Sequence, residues 1–234
     1  MSRSLVIIPT YNEKENILDI IDAVLLQDTS FDILIVDDSS PDGTAELVKE
    51  FQLKSKIGDR VFIEIRKGKL GLGTAYIHGF KWGLSRNYDY LFEMDADFSH
   101  NPKDLIRLQE ACQNGADLSI GSRYCKGGAV SDWPLFRRFL SYGASLYVML
   151  ITGMPVKDPT AGFKCYKAST LDQINVDDIT FSGYAFQIGM KYSVYREKLK
   201  IEEVPIVFKD REKGTSKMSM SIFKEALWLS LIHI

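Results

Sequence analysis

Short apolar runs, each ending on acidic or turn-forming residues, constrain this chain more than any other feature. Leu5-Val6-Ile7-Ile8 leads into Pro9-Thr10-Tyr11-Asn12-Glu13, and Ile33-Leu34-Ile35-Val36 into Asp37-Asp38. Tyr90-Leu91-Phe92-Glu93-Met94 leads into Asp95, while Val61 to Ile65 and Leu118 to Ile120 repeat the theme. Apolar residues in succession, without polar alternation, describe strands buried on both faces. Segments of helical period lie between them. Ile17, Ile20, Ile21, Val24 and Leu25 share one helical face, with Asn12 or Glu13 as the expected start. Thr44 to Leu53, Gly71 to Ser85 and Pro102 to Asn114 follow, the last with proline at its first turn. Strand and helix in alternation predict a mostly parallel sheet covered by helices on both faces, an α/β fold.

The second half is less regular. A helix is expected over Arg137 to Thr152, with Phe139, Leu140, Leu146, Tyr147, Leu150 and Ile151 available to an apolar face. A short strand is expected at Phe163 to Tyr166, a helix over Ser182 to Lys198, a strand over Val204 to Phe208 and a helix from Ile222. No linker or repeat divides the 234 residues, so one domain is expected. The net charge of −2 supplies no field for nucleic acid. Cys112, Cys125 and Cys165 lack metal-ligand spacing and suit reduced thiols in the cytoplasm. No signal peptide is expected, and no apolar run reaches the ~18 residues of a spanning helix.

In an open parallel sheet, ligands bind beyond the carboxyl ends of the strands. The sharpest group there is Asp95-Ala96-Asp97. Two carboxylates at i and i+2 suit a hard divalent cation, Mg²⁺ or Mn²⁺, which keeps water and substrate phosphates as its other ligands. The same spacing also occurs in solvated acidic turns; the strand-end position favours the metal. Asp37-Asp38 can accept hydrogen bonds from a ribose or a base edge, or can start the turn at Pro41-Asp42-Gly43. Tyr11 offers a stacking ring and Glu13 an acceptor, or both serve the helix entry. Lys69 to Ala75 contains Gly71 and Gly73 but has Tyr76 where a dinucleotide fingerprint needs its third glycine. Arg123, Arg137, Arg138, Arg211 and Lys217 supply positive charge of the kind that clamps phosphate.

Taken together these stretches resemble glycosyltransferase family 2, and more narrowly the polyprenol (dolichol) monophosphate mannose synthases. The resemblance rests on Pro9 to Glu13, Val36 to Thr44, Gly71 to Gly79, Met94 to His100, Gly121 to Tyr124, Gly183 to Gln187, and Val204 to Ile206 with Asp210-Arg211. It implies a GT-A type fold across residues 1–234, with a nucleotide-binding half over about 1–125 and an acceptor half over about 126–234. It implies that Pro9, Tyr11, Glu13, Val36 and Asp38 surround the nucleotide, with Asp95 and Ala96 touching the donor. Asp97 would hold the metal together with Asp95 and Ser99. Arg123, Arg211 and Lys217 would hold the donor diphosphate or the lipid phosphate, with Arg137 or Arg138 serving the acceptor. Two departures stand out: Gly189 where a glutamate is expected, and Pro159 in Asp158-Pro159-Thr160-Ala161-Gly162.

The implied reaction is mannosyl transfer, with inversion, from GDP-mannose to a polyprenyl phosphate on the cytoplasmic face of a membrane. Trp133 to Thr152 and the apolar C-terminal stretch are candidates to meet the lipid, or to pack in the core. UDP-glucose is the nearest alternative donor. A nucleotidyltransferase would need a glycine-rich loop after its first strand, where this chain has Pro9 to Glu13. A non-catalytic nucleotide-sugar-binding subunit would not need both Asp95 and Asp97.

Overall fold

A computed structural model describes residues 2–179 and 183–211. The first half runs β1 (Ser4–Thr10), α1 (Ile17–Leu25), β2 (Phe31–Asp37), α2 (Thr44–Lys54), β3 (Val61–Ile65), α3 (Leu72–Leu84), β4 (Tyr90–Glu93), α4 (Asp104–Gln113) and β5 (Leu118–Ser122). The second half adds β6 (Ala129–Val130), α5 (Leu135–Thr152), β7 (Lys164–Lys167), α6 (Ala168–Gln173), α7 (Gly183–Arg196), β8 (Ile201–Pro205) and β9 (Val207–Phe208). Seven strands form one sheet in the order β3-β2-β1-β4-β7-β5-β8, and β6 pairs with β9. Within the large sheet, β7 runs antiparallel to both of its neighbours, and the remaining pairs are parallel.

The uninterrupted apolar runs are explained by two cores. Leu5, Ile7, Leu34 and Val36 pack with Tyr76 and Phe80 of α3 and with Phe186 and Met190 of α7. Val6, Ile8, Ile33 and Ile35 pack with Ile17, Ile20 and Val24 of α1 and with Leu105 and Leu108 of α4. Alternate residues of one strand therefore enter opposite layers, and each buried aliphatic side chain contributes about 1.5–3 kcal/mol.

The α3 layer approaches the sheet closely enough to require glycine. A Cβ at Gly79 would stand 2.5 Å from Ile7 Cγ2, and one at Gly83 would stand 2.5 Å from Leu91 Cδ2. Gly79→Ala is expected to lower stability by about 1–3 kcal/mol, because overpacking against buried Ile7 outweighs the gain in helix propensity. A urea unfolding midpoint equal to or above that of the parent would contradict this.

Several boundaries differ from expectation. The first helix begins at Ile17 because Asn12 adopts φ 58°. That left-handed turn, which asparagine tolerates, keeps the intervening residues out of the helix. The strand expected at Val204 to Phe208 divides into β8 and β9, and pairing of Leu118 with Ile201 draws β8 back to Ile201. The helix expected from Ile222, and Lys217, lie outside the described residues. Among the described residues no helix is long and apolar enough to cross a membrane.

The apolar stripe of α5 does not enter either core. Leu135, Phe136, Phe139 and Leu150 are each more than three-quarters exposed, whereas Ser145 and Val148 are its buried residues. The sheet positions the site: β2 and β3 lie on one side of β1 and β4 on the other, so the connections after β1 and β4 diverge at a topological switch point.

Candidate active site

The ends of β1 and β2 are bound to each other. Pro9 pairs with Val36 and Thr10 with Asp37. Thr10 Oγ1 and Ser40 Oγ donate to Asp37 Oδ2 at 2.7 and 2.6 Å. The Glu13 carboxylate is buried and accepts from Asn16 Nδ2 at 3.1 Å. The Tyr11 ring lies 4.8 Å from the Lys69 ammonium. Asp38 is gripped from the third strand: Arg66 Nε donates to its Oδ1 at 2.7 Å, and the Leu70 N–H to its Oδ2 at 3.0 Å. Arg66 was absent from the sequence candidates, although its place one residue beyond β3 was the available signal.

The segment after β4 turns sharply. Phe98 has φ 60°, a strained value for an aromatic residue and one that persists where surrounding structure enforces it. The turn aims Asp95, Asp97 and Ser99 together. Ser99 N–H donates to Asp97 Oδ1 at 3.1 Å, and Arg211 donates to Asp97 Oδ2 at 2.7 Å. Burial favours the neutral acid at Asp97, but Ser99 and the Arg211 guanidinium outweigh it and hold the group below the ordinary carboxylate range. Asp95 behaves oppositely. Its side chain is 40% exposed yet sits among protein atoms at the sheet edge; that desolvation first, then the charges of Asp97 and Glu93, push it up to about 7. Tyr76, whose phenol is kept protonated by burial and by Asp95, donates to Asp95 Oδ1 at 3.4 Å. Burial lowers His100 to about 4, so its ring is neutral. Its Nδ1 accepts the Asp95 N–H at 3.3 Å.

This donor set fits a hard divalent cation. Two carboxylates converge, and one resists ionisation until a positive charge is supplied. The Ser99 hydroxyl beside them is buried without a well-formed hydrogen bond. Among the described residues no group of three or more His, Cys, Asp or Glu is placed to hold a metal ion by itself.

The basic candidates divide. Arg211 joins the carboxylates, and Arg137 reaches its neighbour Asp210 at 2.8 Å while lying over the Trp133 ring. Arg138 donates to the Val130 carbonyl at 3.0 Å. Arg123 grips the fully buried Asp158, with Nε at 2.7 Å and a second nitrogen at 2.6 Å, and it also donates to Thr160 at 2.8 Å. This clamps the 158–162 loop, whose Gly162 stands beside the site: a Cβ there would lie 4.0 Å from Asp95 Oδ2. Glu93, Lys164 and Lys191, all fully buried beneath this loop, were also absent from the sequence candidates. A buried charge shows no sequence signal until its partner is known. Gly189 is buried in α7. A groove of about 400 Å³ between α1 and α2 is lined by Leu18, Leu47 and Phe51 and contains none of the site residues.

Comparison with known proteins places the chain in a family. The family model described as glycosyl transferase family 2 matches residues 5–176. The chain is 46% identical over 226 residues to polyprenol monophosphomannose synthase of Mycolicibacterium smegmatis, covering 97% of this chain and 84% of that protein. It is 45% identical over 225 residues to undecaprenyl-phosphate mannosyltransferase of Micrococcus luteus, covering 96% and 91%. In fold it is similar to mannosyltransferase PcManGT of Pyrobaculum calidifontis, solved with GDP-Man and Mn²⁺, at TM-score 0.59 and 16% identity over 98% of this chain and 61% of that one. The sheet order, the helices on both faces and this likeness are those of the GT-A fold. The chain belongs to glycosyl transferase family 2.

Proposed function

We propose that the chain transfers mannose from GDP-mannose to a polyprenyl phosphate, with inversion, in the presence of Mg²⁺ or Mn²⁺. The observation that carries the reading is the convergence of Asp95, Asp97 and Ser99 at the switch point, in a chain 46% identical to a polyprenol monophosphomannose synthase. Pro9, Tyr11, Glu13, Val36 and Asp38 line the nucleoside end of the donor, and Ala96 lies against it. Asp95, Asp97 and Ser99 hold the cation, which when bound offsets charge on the departing diphosphate. Arg211 contributes to the same task, with Arg123 setting the loop beside it. Lys217, outside the described residues, and Arg137 or Arg138 serve the acceptor phosphate.

A lipid monophosphate has a second pKa of about 6 and is largely dianionic at pH 7. Its oxygen therefore needs orientation toward the anomeric carbon more than a general base. The outward apolar stripe of α5, flanked by Arg137 and Arg138, supports contact with a membrane surface, where the prenyl chain resides. The protein is then peripheral, on the cytoplasmic face.

The test supplies the protein with Mn²⁺, a polyprenyl phosphate and either GDP-mannose or UDP-glucose, and counts sugar in the organic phase. Lipid-linked mannose is expected. Lipid-linked glucose alone would retain the site chemistry and overturn the donor. Metal-dependent nucleotide binding without lipid product would overturn the acceptor.

A further inference from the structure

Directly beneath Asp95, a charged network is buried that the reaction does not call upon. Glu93 closes β4 two residues before Asp95 and is fully buried. Its Oε1 takes Lys164 Nζ at 2.9 Å and Tyr166 OH at 3.1 Å, and its Oε2 takes Gln187 Nε2 at 2.9 Å. Lys164, also fully buried, donates in turn to Gln187 Oε1. It stands on the antiparallel β7, directly across from Glu93 in the sheet register. One turn along α7, Lys191 donates to the carbonyls of Gln187, Pro159 and Ala161 at 3.0, 3.0 and 2.7 Å. The network therefore joins β4, β7, α7 and the 158–162 loop. Both ends of it reach Asp95: Glu93 through the chain, and Gly162 through space.

Stability does not account for such an arrangement. Removing two charges from water costs several kcal/mol per ion, and apolar residues of similar volume often serve a fold as well or better. What a satisfied buried network supplies is a single geometry. Here that geometry belongs to the segment that carries both carboxylates.

We propose that Lys164, through Glu93 and Gln187, is a positioning residue for the Asp95-Ala96-Asp97 segment, holding its carboxylates at the separation a divalent cation requires. The proposal rests on the reading that Asp95 and Asp97 hold that cation, and it extends the reading to three residues that touch neither ion nor substrate. Partners behind a metal's direct ligands commonly govern its affinity by about 10–100-fold.

The test is the paired replacement Lys164→Met with Glu93→Gln. It removes both charges together and keeps the hydrogen bonds at position 93 satisfiable: the amide introduced by Glu93→Gln can still accept from Tyr166, and the Gln187 amide can turn over to accept from it. Titration with Mn²⁺, followed by loss of the free-ion electron paramagnetic resonance signal, reads the ion without any turnover. The expected result is a thermal midpoint near that of the parent, a dissociation constant for Mn²⁺ raised at least about tenfold, and a fall in kcat with the KM for lipid phosphate unchanged. Parent-like Mn²⁺ affinity and kcat in a folded variant would overturn the proposal and leave the metal reading intact. Absence of Mn²⁺ binding by the parent, matched by Asp97→Ala, would overturn both. Gln187→Met keeps the ion pair and removes only the arm from α7, so it serves if the paired variant does not fold. About tenfold weaker Mn²⁺ binding is expected there too, and unchanged binding would overturn the role of Gln187.

Discussion

Asp97→Ala is expected to reduce sugar transfer by at least about two orders of magnitude, the scale lost when one preorganised electrostatic group is removed from an active site. The reason lies in the asymmetry of the pair. Asp97 is kept ionised by Ser99 and by Arg211 at 2.7 Å, whereas Asp95 is pushed up to about 7. Asp97 is therefore the carboxylate that presents a full negative charge at neutral pH, and without it Asp95 alone recruits a cation poorly. The fold is expected to survive, because the partners lost are a neighbouring backbone N–H and an arginine whose side chain is 21% exposed. Asp97→Asn is the sharper control, since an amide preserves size and can still accept from Ser99. If steady-state transfer by the asparagine variant stayed within about threefold of the parent, far short of that scale, charge at this position would be irrelevant and the metal reading would fail.

Asp158→Ala is expected to cost about 3–5 kcal/mol of stability, because it leaves the Arg123 guanidinium buried without its counter-charge. Asp158 is fully buried, Arg123 is 10% exposed, and the two make a bidentate pair with a third bond from the Arg123 N–H. Replacing both residues, Arg123→Met with Asp158→Leu, is expected to cost less than either single change. Urea unfolding of the three variants measures this, and additive losses would refute it.

The pair also carries a pH dependence of definite sign. Burial pushes the Asp158 acid upward, but the hydrogen bonds and charge of Arg123 more than reverse this, so its folded pKa lies below the ordinary carboxylate value. Its contribution is complete above the unfolded pKa of about 3.9. It is lost as pH falls from there through the folded value. The difference in stability between parent and Asp158→Ala should accordingly be constant around neutrality and shrink below about pH 4.

The first half of the chain was legible in the sequence to within a few residues. Continuous apolar runs such as Leu5 to Ile8 can be strands only if both sheet faces are covered, and the two cores cover them. Helix α1 was misjudged at its start, since the positive φ of Asn12 is a turn choice that helical periodicity does not reveal. Strand β8 was misjudged because two consecutive acids, Glu202 and Glu203, half-buried at the sheet edge, break its apolar run, and its register comes from β5.

The placing of Asp95 and Asp97 together at a strand end was readable because the two acids lie only two residues apart in the chain. Lys164 was not. Within Phe163-Lys164-Cys165-Tyr166 a lysine suggests a solvent-facing position, yet it is fully buried against Glu93, which belongs to a strand far back in the chain. Arg123 was readable as a strand-end arginine but not as the partner of Asp158, and Arg66 was not readable as the partner of Asp38.

Read along the chain alone, the residues already dictate the alternation of strand and helix, the parallel first half and the acids at the strand ends. Those depend on local periodicity and on which residues cluster within a few positions. The antiparallel insertion of β7, the outward face of α5, and the pairing of Lys164 with Glu93 and of Arg123 with Asp158 emerge from long-range packing. Burying a charge is tolerable only where an opposite charge or a set of carbonyls meets it. That meeting occurs between segments distant in the chain, brought together by the packing of the sheet.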